Sequence, residues 1–547
     1  MTDWLQHLIV MPILLPLLTA GLMLLLDERN RIVKATLNLL STSALLAIAI
    51  ALVVTADSSD HAGGVTVYLL GNWPPPIAIV LVLDRLAALM LLVTSILALC
   101  ALLFSLARWH AAGPHFHPLF QLLLMGVNGA FLTGDLFNLF VFFEVMLAAS
   151  YGLALHGSGR VRVRASLHYI AFNLATAMLF LIGVSMIYGV TGTLNMAHLA
   201  TRIPLVEPES RVLLEIGAAV LGIAFLVKAG MWPLSFWLPT TYAAACAPVA
   251  AMFAILSKVG IYVLLRLWLL LFGTEAGASA FLGSHWLLAG GLMTVLFGSV
   301  GALASQDLRR LAGFSILVSS GTLLSVMAIG REGVTSGALF YLVSSTLALG
   351  AFFLLIELLE RDRDPGADIL AVTIEAFGLS EMDEPEEEQE VGVVIPATMA
   401  LLGVSFVACA LIIAGLPPLS GFIAKFAILT AMFNLGDAAR VPLEVWLLLI
   451  MIVGSGIAAL IAVTRAGIRT FWTPFELTVP RIGVIEMLPV AMLLLACLAM
   501  TIQAGPIMRY MRATATTLHA PHGYVNDVLT ASPLEAGSAI GQGRTAP

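Results

Sequence analysis

Apolar runs of about twenty residues, each long enough to cross roughly 30 Å of hydrocarbon as a helix, follow one another through nearly the whole of this 547-residue chain. Read between polar breaks they give spans near 8–27, 32–55, 79–107, 117–134, 136–156, 165–190, 212–240, 243–270, 282–305, 308–330, 335–359, 395–435, 441–464 and 485–508. With 60% hydrophobic and 11% charged residues, the chain cannot clothe a water-soluble surface. The bilayer is its solvent, and the expected fold class is all-α: a polytopic membrane protein of about fourteen transmembrane helices. The stretch starting near Leu8 has no basic residue before it and reads as the first span, not a cleaved leader. Cys100, Cys246, Cys409 and Cys497 lie in apolar spans at unrelated spacings. They read as packing residues, so no metal site or disulfide framework is expected.

Spans seven (212–240) and twelve (395–435) are long, and are interrupted by Gly-Met-Trp-Pro (230–233) and Gly-Leu-Pro-Pro-Leu-Ser-Gly (415–421). Proline cannot donate the helical hydrogen bond, so both helices are expected to be broken. The breaks repeat one another: Ala229-Gly230-x-x-Pro233-Leu234-Ser235 recurs 185 residues later as Ala414-Gly415-x-x-Pro418-Leu419-Ser420. Pro-interrupted helices at matching places in two halves point to a transporter site near the bilayer midplane. An offset of five spans makes the two halves inverted. The expected divisions are 1–116 (three spans), a first repeat over 117–270, a second over 282–464, a final helix over 485–512 and a polar tail over 513–547.

Basic residues set the orientation. With the N-terminus outside, fourteen arginines and lysines fall on inward connections and seven on outward ones, so both termini are expected on the periplasmic face of a bacterial inner membrane. An insertion over 360–392 contains seven carboxylates in the ten residues 381–390. It reads as a solvated cytoplasmic loop, with a docking surface for a basic partner as the other reading.

The chain has four lysines against 22 arginines, and three of the four, Lys228, Lys258 and Lys425, lie inside spans. Arginine stays protonated, whereas lysine removed from water can release its proton near neutral pH. A charge inside the bilayer costs on the order of 2.5–3.5 kcal/mol, so it is expected to face the bundle interior and to mark an ion pathway. Glu144 stands alone in the run Phe137–Met146 and is the expected partner of Lys228, the pair acting as a switch on lysine protonation. His168 is either an accessory relay or a core histidine. Glu357 is expected to snorkel toward the acidic loop, and Asp84, Arg85 and Asp135 to anchor at the interface. There is no Gly-Lys-Ser/Thr nucleotide loop, no His-Glu-x-x-His and no cysteine pair for iron–sulfur or haem. No cofactor is expected, and neither nucleotide hydrolysis nor nucleic-acid binding.

Four segments carry a family resemblance: Val127–Met146 around Glu144, Lys228-Ala-Gly-Met-Trp-Pro-Leu-Ser-Phe-Trp-Leu-Pro239, Leu256-Ser-Lys258-Val-Gly260 and Gly415-Leu-Pro-Pro-Leu-Ser-Gly-Phe-Ile-Ala-Lys425-Phe426. They resemble the antiporter-like subunits shared by respiratory complex I, membrane-bound hydrogenases and Mrp-type multisubunit Na+(K+)/H+ antiporters, and most closely the D-type branch of the Mrp antiporters. The resemblance implies fourteen helices with two inverted five-helix repeats, and a relay in which Glu144 pairs with Lys228, Lys258 bridges the halves and Lys425 serves the second. It implies companion Mrp-type subunits, lipid surroundings, and exchange of Na+ or K+ for H+. A redox-driven proton pump subunit and a non-conducting scaffold are the other readings. Where many relatives carry histidine or lysine, this chain has Ser315–Ser320 and Tyr341–Gly350. The hydroxyls Ser319, Ser320, Ser344, Ser345 and Thr346 are the expected substitutes between Lys258 and Lys425.

Overall fold

Inside hydrocarbon a backbone must satisfy its own hydrogen bonds, and helices do so segment by segment. The computed structural model describes residues 7–58, 64–361, 397–434, 441–471 and 482–533. Its helices are α1 (Met11–Leu25), α2 (Arg31–Ser58), α3 (Arg85–Ala107), α4 (Phe116–Leu132), α5 (Leu136–Ala154), α6 (Arg160–Thr191), α7 (Met196–Arg202), α8 (Pro208–Ala229), α9 (Trp237–Ala244) and α10 (Ala247–Phe272). They continue as α11 (Ser284–Ala304), α12 (Leu308–Ala328), α13 (Glu332–Glu360), α14 (Ala397–Ala414), α15 (Ser420–Phe433), α16 (Leu443–Phe471), α17 (Val484–Ile502), α18 (Ala504–His519) and α19 (His522–Leu529). Among the described residues, 12 helices are long and apolar enough to cross a membrane, and α1, α4 and α15 are shorter apolar helices. The chain is a multi-span membrane protein.

The helices that carry Lys258 and its serine neighbours Ser319 and Ser345 are the ones hidden from lipid. α10, α12 and α13 are buried on nearly every side, while α2, α6, α11 and α16 turn rows of Leu, Ile and Val outward. Glycine lets some of these helices approach closely. A Cβ on Gly291 of α11 would stand 2.7 Å from the Ser325 backbone nitrogen of α12, and one on Gly321 would stand 2.7 Å from Val295 nitrogen.

The two ends of the bundle differ. At one end arginines take up the free carbonyls where helices stop: Arg162 donates to Ala244 O at 2.9 Å, Arg465 to Ser305 O at 3.1 Å and Arg469 to Gln306 O at 3.3 Å. We call this the arginine face. At the other end β1 (Thr66–Leu69) pairs antiparallel with β2 (Val80–Leu83), Thr66 opposite Leu83. With α7 and α19 this hairpin builds a small second core from Val65, Val80, Val82, Ala197, Tyr524 and Val528. We call this the hairpin face.

Several expectations change. The apolar run at 79–107 begins as strand β2, not helix. The segment from 513, expected to be a polar tail, continues α18 to His519 and then forms α19 over His522–Leu529; α18 buries Met511, Thr514, Ala515 and Leu518 at helical spacing. The acidic stretch 381–390 lies outside the described residues.

Candidate functional site

α8 ends because Gly230 takes φ +78°, a left-handed angle that costs glycine little. Gly230 N then reaches Val227 O at 3.2 Å and Met231 N reaches Leu226 O at 3.0 Å, closing the helix end. The backbone passes through a cis Trp232–Pro233 bond, Trp232 N donates to Thr294 Oγ1 at 2.9 Å, and helix resumes at Trp237. Lys228 sits in the last turn of α8, where the helix dipole favours a cation, and is only 6% exposed. Its ammonium donates to the Asn173 side-chain oxygen of α6. Asn173 is aimed by its own amide, which donates to Tyr169 O at 2.7 Å. Glu144, half-buried on α5, is within electrostatic range of Lys228, but the two make no ion pair within 4.0 Å. The expected Glu144–Lys228 contact is therefore open, with Asn173 occupying the lysine.

The second break uses the same backbone device. Gly415 takes φ +77°, and both Gly415 N and Leu416 N reach Leu411 O at 3.0 Å. A cis Pro417–Pro418 bond follows, and α15 starts at Ser420. Lys425 lies within α15, 7% exposed, and its Nζ donates to Ala414 O at 2.9 Å. That carbonyl is left without a helical partner because α14 ends there. Glycine makes the room: a Cβ on Gly415 would stand 2.6 Å from Lys425 Cδ and 2.9 Å from its Nζ.

Between the breaks, Lys258 of α10 is fully buried, and Nζ donates to Ser319 Oγ of α12 at 2.7 Å. Ser319 donates on to Ser345 Oγ of α13 at 2.9 Å. The adjacent Ser344 pairs with Ser420 Oγ, the first residue of α15, at 2.8 Å. Ser319, Ser344, Ser345 and Tyr341 face a common space that leaves about 20 Å³ for the centre of a water molecule, enough for one. Among the expected hydroxyls, Ser320 stands apart, buried without a hydrogen-bond partner, and Thr346 donates to Leu342 O.

All three intramembrane lysines thus meet neutral oxygens: an amide, a hydroxyl and a peptide carbonyl. A neutral oxygen accepts a hydrogen bond from an ammonium or from an amine, so none of these partners fixes the lysine's charge. Lys34 is the contrast. It too is buried, at 2% exposure, but it closes an ion pair with Glu28 at 2.6 Å on the arginine face.

Other residues fall elsewhere than expected. His168 is exposed on the outer side of α6, its ring bonded to Arg164 O at 2.8 Å, so it does not join the lysines. Glu357 does not snorkel: it is 4% exposed and accepts from Trp109 Nε1 at 2.5 Å and from Ala247 N, at the start of α10, at 3.3 Å. Asp84 caps α3 by accepting from Ala87 N at 2.8 Å and also holds Arg266 of α10 in a buried ion pair at 2.7 Å. Asp135 caps α5. Asn173 was not singled out by the sequence, although a buried amide in an apolar span is itself a signal.

Comparison with known proteins adds to this geometry. The sequence pattern described as "NADH:quinone oxidoreductase/Mrp antiporter, TM" matches residues 133–458. A Rhizobium meliloti protein, named as the probable D-type subunit of a K(+)/H(+) antiporter, is 60% identical over 97% of this chain and 99% of its own length. One from Alkalihalophilus pseudofirmus, named as the D-type subunit of a Na(+)/H(+) antiporter, is 32% identical over 96% and 99% respectively. A chain in the solved structure of the Mrp complex from a Dietzia species superposes with a TM-score of 0.79 at 28% identity, covering 97% of this chain and all of that one.

Proposed function

The chain belongs to the NADH:quinone oxidoreductase/Mrp antiporter transmembrane family, and from that premise we propose that it is the proton-translocating subunit of a multisubunit antiporter exchanging Na+ or K+ for H+. It works beside the other subunits of an Mrp-type complex in the bacterial inner membrane, with its arginine face toward the cytoplasm and the hairpin face and termini toward the periplasm. The repeats over 117–270 and 282–464 each contribute one broken helix to a single line of proton carriers.

In this reading Glu144 passes protons to Lys228, Lys258 joins the halves and Lys425 serves the second. Ser319, Ser345, Ser344 and Ser420, with a water among them, replace the charged groups of many relatives. The observation that carries the reading is the run of hydrogen bonds Lys258–Ser319–Ser345 and Ser344–Ser420, which ends at the helix that bears Lys425. A redox-driven pump would use the same residues. Antiport is favoured because relatives named as antiporter subunits match the chain nearly end to end.

The test is cation-dependent pH change in inverted vesicles holding the assembled complex, run with K+ and with Na+. Lys228→Ala and Lys425→Ala should each lower transport at least about a hundredfold, the lower end of what a positioned proton carrier contributes. Full transport by variants that assemble normally would sink the relay.

A further inference from the structure

The first turns of α6 carry charges that the bundle does not use. Arg160, Arg162 and Arg164 alternate there, and the protein takes up only the middle one. Arg162 donates to Ala244 O at 2.9 Å and to His156 O at 2.8 Å, and its guanidinium lies 5.4 Å from the Trp109 ring. Arg160 and Arg164 are exposed, and among the described residues neither guanidinium has a hydrogen bond or an ion pair. Elsewhere on the arginine face the protein does supply acceptors: Glu360 meets Arg309 at 2.7 Å and Glu486 meets Arg361 at 2.7 Å.

By helical spacing Arg160 and Arg164 share about a third of the circumference of α6 with Leu167, His168, Leu174 and Met178. Leu167, Leu174 and Met178 are each more than half exposed, so this side of the helix faces lipid. Leu167 to Met178 spans about 16 Å along the axis, the depth of one leaflet of a hydrocarbon core of about 30 Å. Arg164 stands about 4 Å and Arg160 about 10 Å beyond Leu167 toward the arginine face. When the aliphatic row fills the leaflet, the two guanidiniums therefore lie at the level of the headgroups. His168 holds its ring near the same level through the bond to Arg164 O at 2.8 Å.

We propose that this side of α6 is a binding site for an anionic phospholipid of the leaflet at the arginine face, with its phosphate at Arg160 and Arg164 and an acyl chain along Leu167, Leu174 and Met178. Charge selects the occupant. A guanidinium fork matches the oxygens of a phosphate and pairs with two of them at once. A phospholipid with no ammonium group brings that phosphate with its charge uncompensated, at the height where both arginines stand. A zwitterionic lipid brings its own cation to the same place, and an apolar helix would cover the leucines and leave both guanidiniums unanswered. The site is separate from the line of lysines, so the proton relay stands or falls independently of it.

The experiment places the assembled complex in phosphatidylcholine nanodiscs containing a minor fraction of phosphatidylglycerol with a diazirine in its acyl chain, and maps the crosslinks formed on irradiation. Label should appear on α6 at Leu167, Leu174 or Met178. Arg160→Gln combined with Arg164→Gln should lower it about thirtyfold, each arginine contributing about 1 kcal/mol at an anionic headgroup. Arg29→Gln combined with Arg310→Gln, two exposed arginines of the same face, should leave it unchanged. Equal losses from the two pairs would reveal only a general surface potential and overturn the site, as would full label in the assembled Arg160 and Arg164 variant. Absence of phosphatidylglycerol label on α6 of the unaltered complex, as when a companion polypeptide covers this side, also overturns it. Should the first pair not assemble, the unaltered complex decides: the same diazirine carried on phosphatidylcholine, in equal amount, should label α6 about thirtyfold less, and equal labelling overturns the proposal.

Discussion

Gly230 and Gly415 end their helices at nearly the same backbone angle, φ +78° and +77°, yet the two breaks are furnished differently. In the first half the lysine precedes the break, at the end of α8, and a side chain from another helix, Asn173, takes its ammonium. In the second half the lysine follows the break, on α15, and its partner is the backbone carbonyl that the break sets free. A carboxylate, Glu144, stands near the first lysine, and among the described residues none forms an ion pair with the second. The repeat thus conserves a backbone device, an interrupted helix with unsatisfied polar groups in the bilayer, and leaves each half to choose how a lysine uses it. The first half sets its lysine with side chains. The second sets it with chain geometry, and so depends more on glycine.

The strongest test of this contrast is at the junction. Lys258→Arg keeps a charge on Ser319 but removes the releasable proton, and should reduce transport in vesicles at least about a hundredfold; near-normal rates would mean that the halves work separately. Next come the two glycines. Alanine at either position is forced into a left-handed angle, at a cost of about 1 kcal/mol or more, but the new Cβ meets different atoms. At Gly230 it meets the tips of Leu238 and Leu317 at 2.9 Å, which can move, and at Gly415 it meets the stem and ammonium of Lys425. Gly415→Ala should lower transport at least about tenfold and Gly230→Ala mainly the melting temperature, by a few degrees. Equal effects on transport would erase the distinction. Asn173→Leu should cost about tenfold and Ser344→Ala only about threefold, within what one hydrogen bond contributes, because a water can replace the serine but not the aimed amide. Smallest of all, His168→Ala and Ser320→Ala should stay within about twofold, measured as transport per assembled complex.

Much of this was legible in the sequence. Hydrocarbon allows few solutions, so the apolar runs announced helices, the Gly and Pro clusters announced their interruptions, and the scarcity of lysine announced which side chains were placed for a reason. What stayed hidden depended on which way a helix is turned and on what packs beside it. His168 sits on a helix with arginines on several sides near its start, so its face was not settled by spacing, and it proves to point outward. Glu357 was free, by spacing alone, to reach an interface, but α13 is covered by neighbours, so it satisfies Trp109 and the first turn of α10 instead. The partnership of Lys228 with Asn173 joins residues 55 positions apart, and no local pattern encodes that contact. The ordered helix at 504–519 did leave a trace, in the spacing of Met511, Thr514, Ala515 and Leu518.

Glu144 remains half open at the flank of α5, beside the exposed Phe137 and Val141. For a chain alone in lipid that carboxylate is a burden of about 2.5–3.5 kcal/mol, and a neighbouring polypeptide laid over the flank would lift it. The same group would then mark an orphan copy: membrane proteases that survey unassembled subunits would find it displayed only while its companions are missing.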